Sequence, residues 1–273
     1  MSAPLLHPTG PEPLLALENI ALSFKGIRAV QDIGFEVARG EICALIGPNG
    51  AGKSSLLNVV SGVYRPESGA IVFDGQRLAR VDPAWAARQG IARTFQNIAL
   101  FKGMSVEDNL LTGKTLATRA SFIEHALRLP RARADERAQR QAVGEVLALL
   151  GLESERNAPV GKLPYGLQKR VELGRALAAT PRLLLLDEPF AGMSAAEKRE
   201  MAELVLTVNA RLGTTILLIE HDMGLVMDLS DHVVVLDYGR KIADGAPAVV
   251  CRDPAVIDAY LGVDHGPDAL ALN

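Results

Sequence analysis

Gly47-Pro48-Asn49-Gly50-Ala51-Gly52-Lys53-Ser54 meets the pattern G-x-x-x-x-G-K-[ST] at every fixed position. An apolar stretch, Ile42–Ile46, reads as a strand running into it, and Lys53–Val60 reads as a helix leaving it. Strand, glycine-rich loop and helix in that order form a phosphate-binding loop. The glycines let backbone N–H groups turn inward around a polyphosphate along a path that side chains would obstruct. The following helix points its positive end at the anion. The spacing brings Lys53 to the outer phosphates and the Ser54 hydroxyl to a Mg²⁺ ion.

Composition narrows the setting. With 273 residues the chain makes one large domain or two small ones, and its 48% hydrophobic content supplies a sizeable core. A net charge of −3 and a pI near 6.0 argue against binding nucleic acid by bulk electrostatics. Cys43 and Cys251 lack metal-like spacing, and Cys43 reads as a small buried thiol within its strand. Two cysteines without a disulfide framework suit a reducing compartment. The proline-broken start, MSAPLLHPTGPEP, carries no basic region, and no apolar run reaches bilayer-spanning length. A soluble protein is expected, with attachment to a membrane partner left open.

Along the chain, residues 1–13 read as a disordered leader. Strands follow near 15–24 and 35–37, then at 71–73 and 91–94, with turns at 66–69 and 74–75. Residues 105–179 carry a helical pattern. Within them, 134–150 place Ala138, Val143, Val146, Leu147 and Leu150 at helical spacing. The arginines of 128–140 interleave with Asp135 and Glu136, which reads as a solvated helix face. Alternation then resumes: strands at 183–186 and Thr215–Ile219 flank a helix at Ala195–Leu212. Residues 233–236 and 241–243 read as a hairpin around Tyr238-Gly239. Continuous apolar strands separated by helices predict a parallel sheet covered on both faces.

A second signal is Leu183-Leu184-Leu185-Leu186-Asp187-Glu188-Pro189. A buried strand ending in two acids is costly unless they work at its carboxyl edge, beside the phosphate loop. A third is Leu163-Pro164-Tyr165-Gly166-Leu167-Gln168-Lys169-Arg170. Together these three segments resemble, over nearly the whole chain, the ATPase subunits of ABC transporters. The signature of that family has the form Leu-Ser-Gly-Gly-Gln and opens a helix that caps the γ-phosphate held by the opposite subunit. Here Leu163 and Gly166 keep their places, while Pro164 replaces the serine and Leu167 the glutamine. Proline offers neither hydroxyl nor N–H but is tolerated in a first helical turn, so the helix survives with an altered phosphate contact.

The resemblance implies an α/β P-loop core with a mostly parallel sheet, an antiparallel β subdomain and a helical insertion. It implies an ATP-binding core over 14–95 and 180–250, a helical subdomain with the signature over 96–179, and a C-terminal extension over 251–273. ATP and Mg²⁺ are the implied cofactors. Gly47, Asn49, Gly50, Ala51, Gly52, Lys53, Ser54, Ser55, Gln96, Tyr165 and Gly166 would contact nucleotide. Ser54, Gln96 and Asp187 would hold the metal, and Glu188, His221 and Lys53 would carry catalysis. Phe24 is read either as an adenine-stacking ring or as a core residue. Ser194 stands where the family usually has aspartate in the loop that communicates between subunits.

Within the family, the Leu-Pro-Tyr-Gly signature, Arg93-Thr94-Phe95-Gln96-Asn97 and the tail 253–262 resemble the branched-chain amino acid importer group. This implies a homo- or heterodimer of ATPase subunits, two membrane permease subunits, a periplasmic binding protein and no nucleic acid. The expected place is the cytoplasmic face of the inner membrane, peripheral through the permeases. Leu100, Phe101 and Met104 are either docking residues for the membrane partner or packing within the insertion. Relatives of similar sequence serve urea, short amides, aromatic acids or lipopolysaccharide export, which stay open as cargo. A soluble ABC ATPase of translation or DNA repair typically has two cassettes or a long coiled-coil insertion. This chain has one phosphate loop and a compact insertion. A regulator that binds ATP without hydrolysing it is disfavoured by the presence of both Glu188 and His221.

Overall fold

The computed structural model describes residues 13–96, 98–114 and 129–261. Asn97, most of the leader and the end of the C-terminal extension lie outside them. Pro13, assigned above to the leader, instead opens the first strand, β1 (Pro13–Phe24). It pairs with β2 (Ile27–Ala38), β4 (Ser68–Phe73) and β5 (Gln76–Leu78) in an antiparallel sheet of order β2-β1-β4-β5. Only the end of β2 was legible in the sequence. Polar residues interrupt its apolar pattern, and the register of β1 on β2 shifts around the left-handed residues Asn19 and Asp32. Lys25-Gly26, Asp74-Gly75 and Tyr238-Gly239 all have positive φ at both positions, the backbone that joins hairpins with the native strand twist.

The second sheet has order β10-β9-β3-β8-β7-β6, from β3 (Ile42–Ile46), β6 (Ile91–Arg93), β7 (Leu183–Asp187), β8 (Thr215–Ile219), β9 (His232–Asp237) and β10 (Arg240–Gly245). All its pairs are parallel except β9 with β10. Every residue of β3, β7 and β8 is buried, as continuous apolar strands require when both faces are covered. Around it lie α1 (Lys53–Val60), α2 (Pro83–Arg88), α3 (Val106–Thr112), α4 (Pro130–Leu149), α5 (Tyr165–Ala178), α6 (Ala195–Leu212), α7 (Met223–Leu229), α8 (Pro247–Val250) and α9 (Pro254–Leu261). Helix α2 was not foreseen. Asp82 caps it by accepting from Trp85 N at 2.9 Å, and proline opens its first turn.

The helical stretch packs Val143, Leu147 and Leu150 into one core with Val106, Leu110 and Val171. Ala138, expected on that inner stripe, is exposed, and Ala132 is buried instead. Leu100 also packs in this core, whereas Phe101 stays exposed. Arg140 pairs with Glu136 and Glu107 at 3.2 Å each, in keeping with a solvated face. No helix among the described residues is long and apolar enough to cross a membrane.

One charged cluster sits at the edge of the sheet where β3 begins. His232, opposite the buried Cys43 in the β3–β9 register, binds Asp244 at 2.6 Å and lies 3.3 Å from Glu41. The Asp244 hydrogen bond, with contributions from Cys43 and Glu41, pushes the imidazole pKa up to about 12 from an ordinary 6.5. A raised folded-state pKa stabilises most below the unfolded value. That contribution is therefore complete below about pH 6.5 and is lost progressively as pH rises toward 12. In an NMR titration of the ring between pH 5 and 9, His232 should hold the shifts of an imidazolium. An inflection near its ordinary pKa would refute the cluster's role.

Candidate nucleotide site

Register gathers the motifs along one sheet edge. Leu45 and Asp187 both lie opposite Ile219, so the ends of β3, β7 and β8 deliver Gly47, Glu188 and Glu220-His221 side by side. This is where parallel α/β sheets hold ligands. Two loop positions require glycine. A Cβ on Gly47, at φ +143°, would stand 2.0 Å from the Leu236 carbonyl oxygen. On Gly52, at φ +99°, it would stand 2.3 Å from the Ala29 carbonyl oxygen. Asn49, Gly50 and Ser54 are exposed, Gly52 and Ser55 half-buried, and Ala51 buried. The buried Lys53 Nζ donates to the carbonyls of Gly47 at 2.7 Å and Pro48 at 2.9 Å. Burial lowers its pKa, against the charges of Glu188 and Asp187.

Asp187 is buried and divides its two oxygens. Oδ2 accepts from Arg93 at 2.8 Å, while Oδ1 is sealed from solvent with no hydrogen bond. Arg93 in turn donates to Asn58 and Ser61 of α1 and its cap. A hard carboxylate oxygen without a partner at the strand edge that carries the phosphate loop suits Mg²⁺, so the residues present fit that ion. Glu188 follows at φ +48°, a backbone conformation uncommon outside glycine and characteristic of functional sites. Its Oε2 accepts from Gln96 Nε2 at 3.1 Å. His221 extends from the next strand with 61% of its side chain exposed, and its N–H donates to the buried Glu220 at 3.1 Å. Burial raises the Glu220 pKa.

The signature helix α5 starts at Pro164, which caps it without any side-chain hydrogen bond. Tyr165 Oη donates to the Ala191 carbonyl at 3.1 Å, tying the helix start to the loop after β7. A Cβ on Gly166 would stand 2.5 Å from Glu197 Oε1, so a side chain there would have to displace that carboxylate. That carboxylate belongs to a capping box with Ser194 at the start of α6. The Ser194 contacts, with a smaller share from Gly166 N–H, hold its pKa down. Deeper along α5, Lys169 Nζ donates to the Gln96 carbonyl at 3.3 Å, and Glu172 accepts from Phe95 N. Phe24 is 41% exposed and meets Tyr64 edge to face at 5.1 Å, which removes the core alternative.

Arg93, Lys169, Glu172 and Glu197 were assigned no role by sequence. Glu197 was findable, because Ser194-x-x-Glu197 is a capping-box spacing. The other three meet their partners only through strand pairing and helix docking.

A phosphate loop at the carboxyl edge of a mostly parallel sheet, with the buried Asp187 and half-buried Glu188 two strands over, defines a P-loop nucleotide-binding protein. Residues 30–191 match the family described as ABC transporter, and the chain belongs to that family as an ATP-binding cassette ATPase. Residues 240–266 match the family described as branched-chain amino acid ATP-binding cassette transporter.

The chain is 37% identical over 250 residues to the high-affinity branched-chain amino acid transport ATP-binding protein BraF of Pseudomonas aeruginosa. That match covers 92% of this chain and 98% of the relative. It is 39% identical over 254 residues to the corresponding protein LivG of Escherichia coli (strain K12), with the same coverage. Among solved structures, a nucleotide-free ATP-binding cassette from an ABC transporter superposes with a TM-score of 0.80 at 31% identity. It covers 92% of this chain and 100% of that one. The ADP conformation of MJ1267, an ATP-binding cassette of an ABC transporter, gives the same score and identity.

Proposed function

We propose that this chain hydrolyses ATP to drive import of branched-chain or related amino acids. The observation that carries the reading is the match of residues 240–266 to the branched-chain amino acid cassettes, joined to relatives of that activity at 37–39% identity. The site chemistry is transfer of the γ-phosphoryl group to water. Lys53 and the loop N–H groups hold the phosphates, and charge neutralisation with in-line positioning does most of the catalytic work. Ser54, Gln96 and Asp187 would hold Mg²⁺, which would supply positive charge to offset that of the phosphates. Glu188 takes the proton from the attacking water while its oxygen bonds to phosphorus and ADP leaves. His221 steadies the γ-phosphate from the neighbouring strand.

Each site closes only when a second ATPase subunit, identical or related, presents its signature helix. The link from α5 through Lys169 to Gln96, and from Gln96 to Glu188, supports coupling between the helical region and the catalytic carboxylate. Two permease subunits would dock beside it. A groove of about 580 Å³ lined by Pro83, Ala86, Ile91, Phe95, Ala99 and Ala176 lies between the core sheet and α5 and suits an apolar element of such a partner. Phe101 is exposed nearby in sequence, while the burial of Leu100 favours a packing role for that residue. A periplasmic binding protein completes the system, and the chain itself sits peripherally at the cytoplasmic face. The test is affinity capture of tagged Glu188→Gln from solubilised membranes with ATP and Mg²⁺. Two polytopic membrane proteins with an amino-acid-binding protein are expected. Ribosomal or DNA-repair partners without a membrane protein would overturn the reading.

The proline in the signature has its own expected outcome. Serine at 164 restores a hydroxyl that can donate to the γ-phosphate held by the opposite subunit, a hydrogen bond made only in the dimer and worth about 1 kcal/mol. Pro164→Ser in the Glu188→Gln background should tighten the ATP-dependent dimer roughly fivefold by analytical ultracentrifugation. Unchanged dimerisation would mean that the proline is energetically neutral.

A further inference from the structure

The Tyr238-Gly239 turn between β9 and β10 takes no part in the chemistry above, yet it touches the phosphate loop directly. Gly239 N–H donates to the Ala51 carbonyl at 3.1 Å. A trans peptide unit is planar, with its C=O and N–H pointing in opposite directions. Tying the Ala51 carbonyl to the turn therefore aims the Gly52 N–H away from the turn. On the reading that the loop binds ATP, that N–H is one of those facing the phosphates. The approach is close: a Cβ on Gly239 would stand 2.8 Å from the Ala29 carbonyl oxygen of β2, and one on Gly52 3.7 Å from Gly239 Cα.

What sets the turn against the loop is a single residue of the antiparallel sheet. Gln31 of β2 bonds three consecutive residues of the hairpin. Its backbone N–H donates to the Gly239 carbonyl at 2.7 Å. Its Nε2 donates to the Tyr238 carbonyl at 2.9 Å, and its Oε1 accepts from Arg240 Nε at 3.3 Å. Tyr238 is 76% exposed, so its ring contributes little to holding the turn. A chain of hydrogen bonds thus runs from the Gln31 side chain through the turn to the Ala51–Gly52 peptide.

We propose that Gln31 is a positioning residue of the phosphate loop, fixing the Ala51–Gly52 peptide through the Tyr238-Gly239 turn in the orientation that a bound polyphosphate requires. This rests on the reading that the loop binds ATP. It gives the antiparallel sheet a part in holding phosphate, separate from the Phe24 ring placed to stack adenine at the far end of the same β1–β2 hairpin.

Titration calorimetry of the full chain with ATP–Mg²⁺ and with tripolyphosphate–Mg²⁺ tests it, comparing wild type, Gln31→Met and Lys53→Ala, alongside thermal melting without ligand. Methionine keeps the length of the side chain and removes both of its hydrogen bonds, while the backbone bond to Gly239 stays. Affinity for both ligands should fall about fivefold in Gln31→Met at unchanged stoichiometry, because tripolyphosphate needs the loop but has no base. A loss confined to ATP would overturn the inference, by showing that Gln31 acts at the base. A lower melting temperature with wild-type affinity would overturn it too, since the residue would then serve the fold alone. Wild-type affinity in Gln31→Met, with binding lost in Lys53→Ala, would end this inference and leave the loop reading standing. Normal affinity in Lys53→Ala would bring down the loop reading and this inference together.

Discussion

Lys53→Ala should abolish ATP binding, the largest single effect expected in this protein. The ammonium is buried at the start of α1 and bonded to two carbonyls of the loop that, on the proposed reading, would hold the β- and γ-phosphates. Charge-assisted hydrogen bonds contribute about 1.5–3 kcal/mol each, and Lys53 would make at least two to the phosphates. Losing both weakens binding by more than about a hundredfold. The fold should survive, because the Gly47 and Pro48 carbonyls lose a donor at a site open to water at its rim. Equilibrium binding of a fluorescent ATP analogue, with circular dichroism to verify folding, checks this. Retained affinity in a folded variant would sink the loop assignment.

Glu188→Gln should separate binding from turnover. Glutamine keeps the size of the side chain and a hydrogen-bonding partner for Gln96, but it cannot accept the proton of the attacking water. General-base removal typically costs 10²–10⁴-fold in rate, so phosphate release should drop by at least about a hundredfold. ATP affinity should stay near wild type, and the variant should accumulate as an ATP-bound dimer on size exclusion. Undiminished turnover would show that another group is the base. The left-handed backbone at Glu188 sharpens the choice of substitution: glutamine tolerates that conformation about as well as glutamate, whereas a β-branched residue would add strain unrelated to chemistry.

Much of this site was legible beforehand, for identifiable reasons. The phosphate loop and the Asp187-Glu188 pair are contiguous in the chain, and each is constrained by local backbone needs that few residue types meet. The fully buried strands β3 and β8 and helices α1 and α6 were legible to the residue, because period and length distinguish them. Strand β2 was mostly illegible, since its bulge and half-exposed face break the alternation that marks a strand. The stripe of α4 was misjudged at Ala138 because alanine suits either face of a helix, and the docking of α3 and α5 decides which face turns inward.

The sequence by itself determined the class of chemistry. Gly47, Gly52, Lys53, Ser54, Asp187 and Glu188 are short-range patterns whose meaning does not depend on distant residues. Only the tertiary structure decided how they are held. Arg93 reaches Asp187 across 94 positions and Lys169 reaches Gln96 across 73, through strand pairing and helix docking that no local pattern encodes. The same holds for the C-terminal helix: Val256 meets Ile46, more than two hundred residues upstream, in one buried apolar cluster, and such burial is a global property of the folded chain.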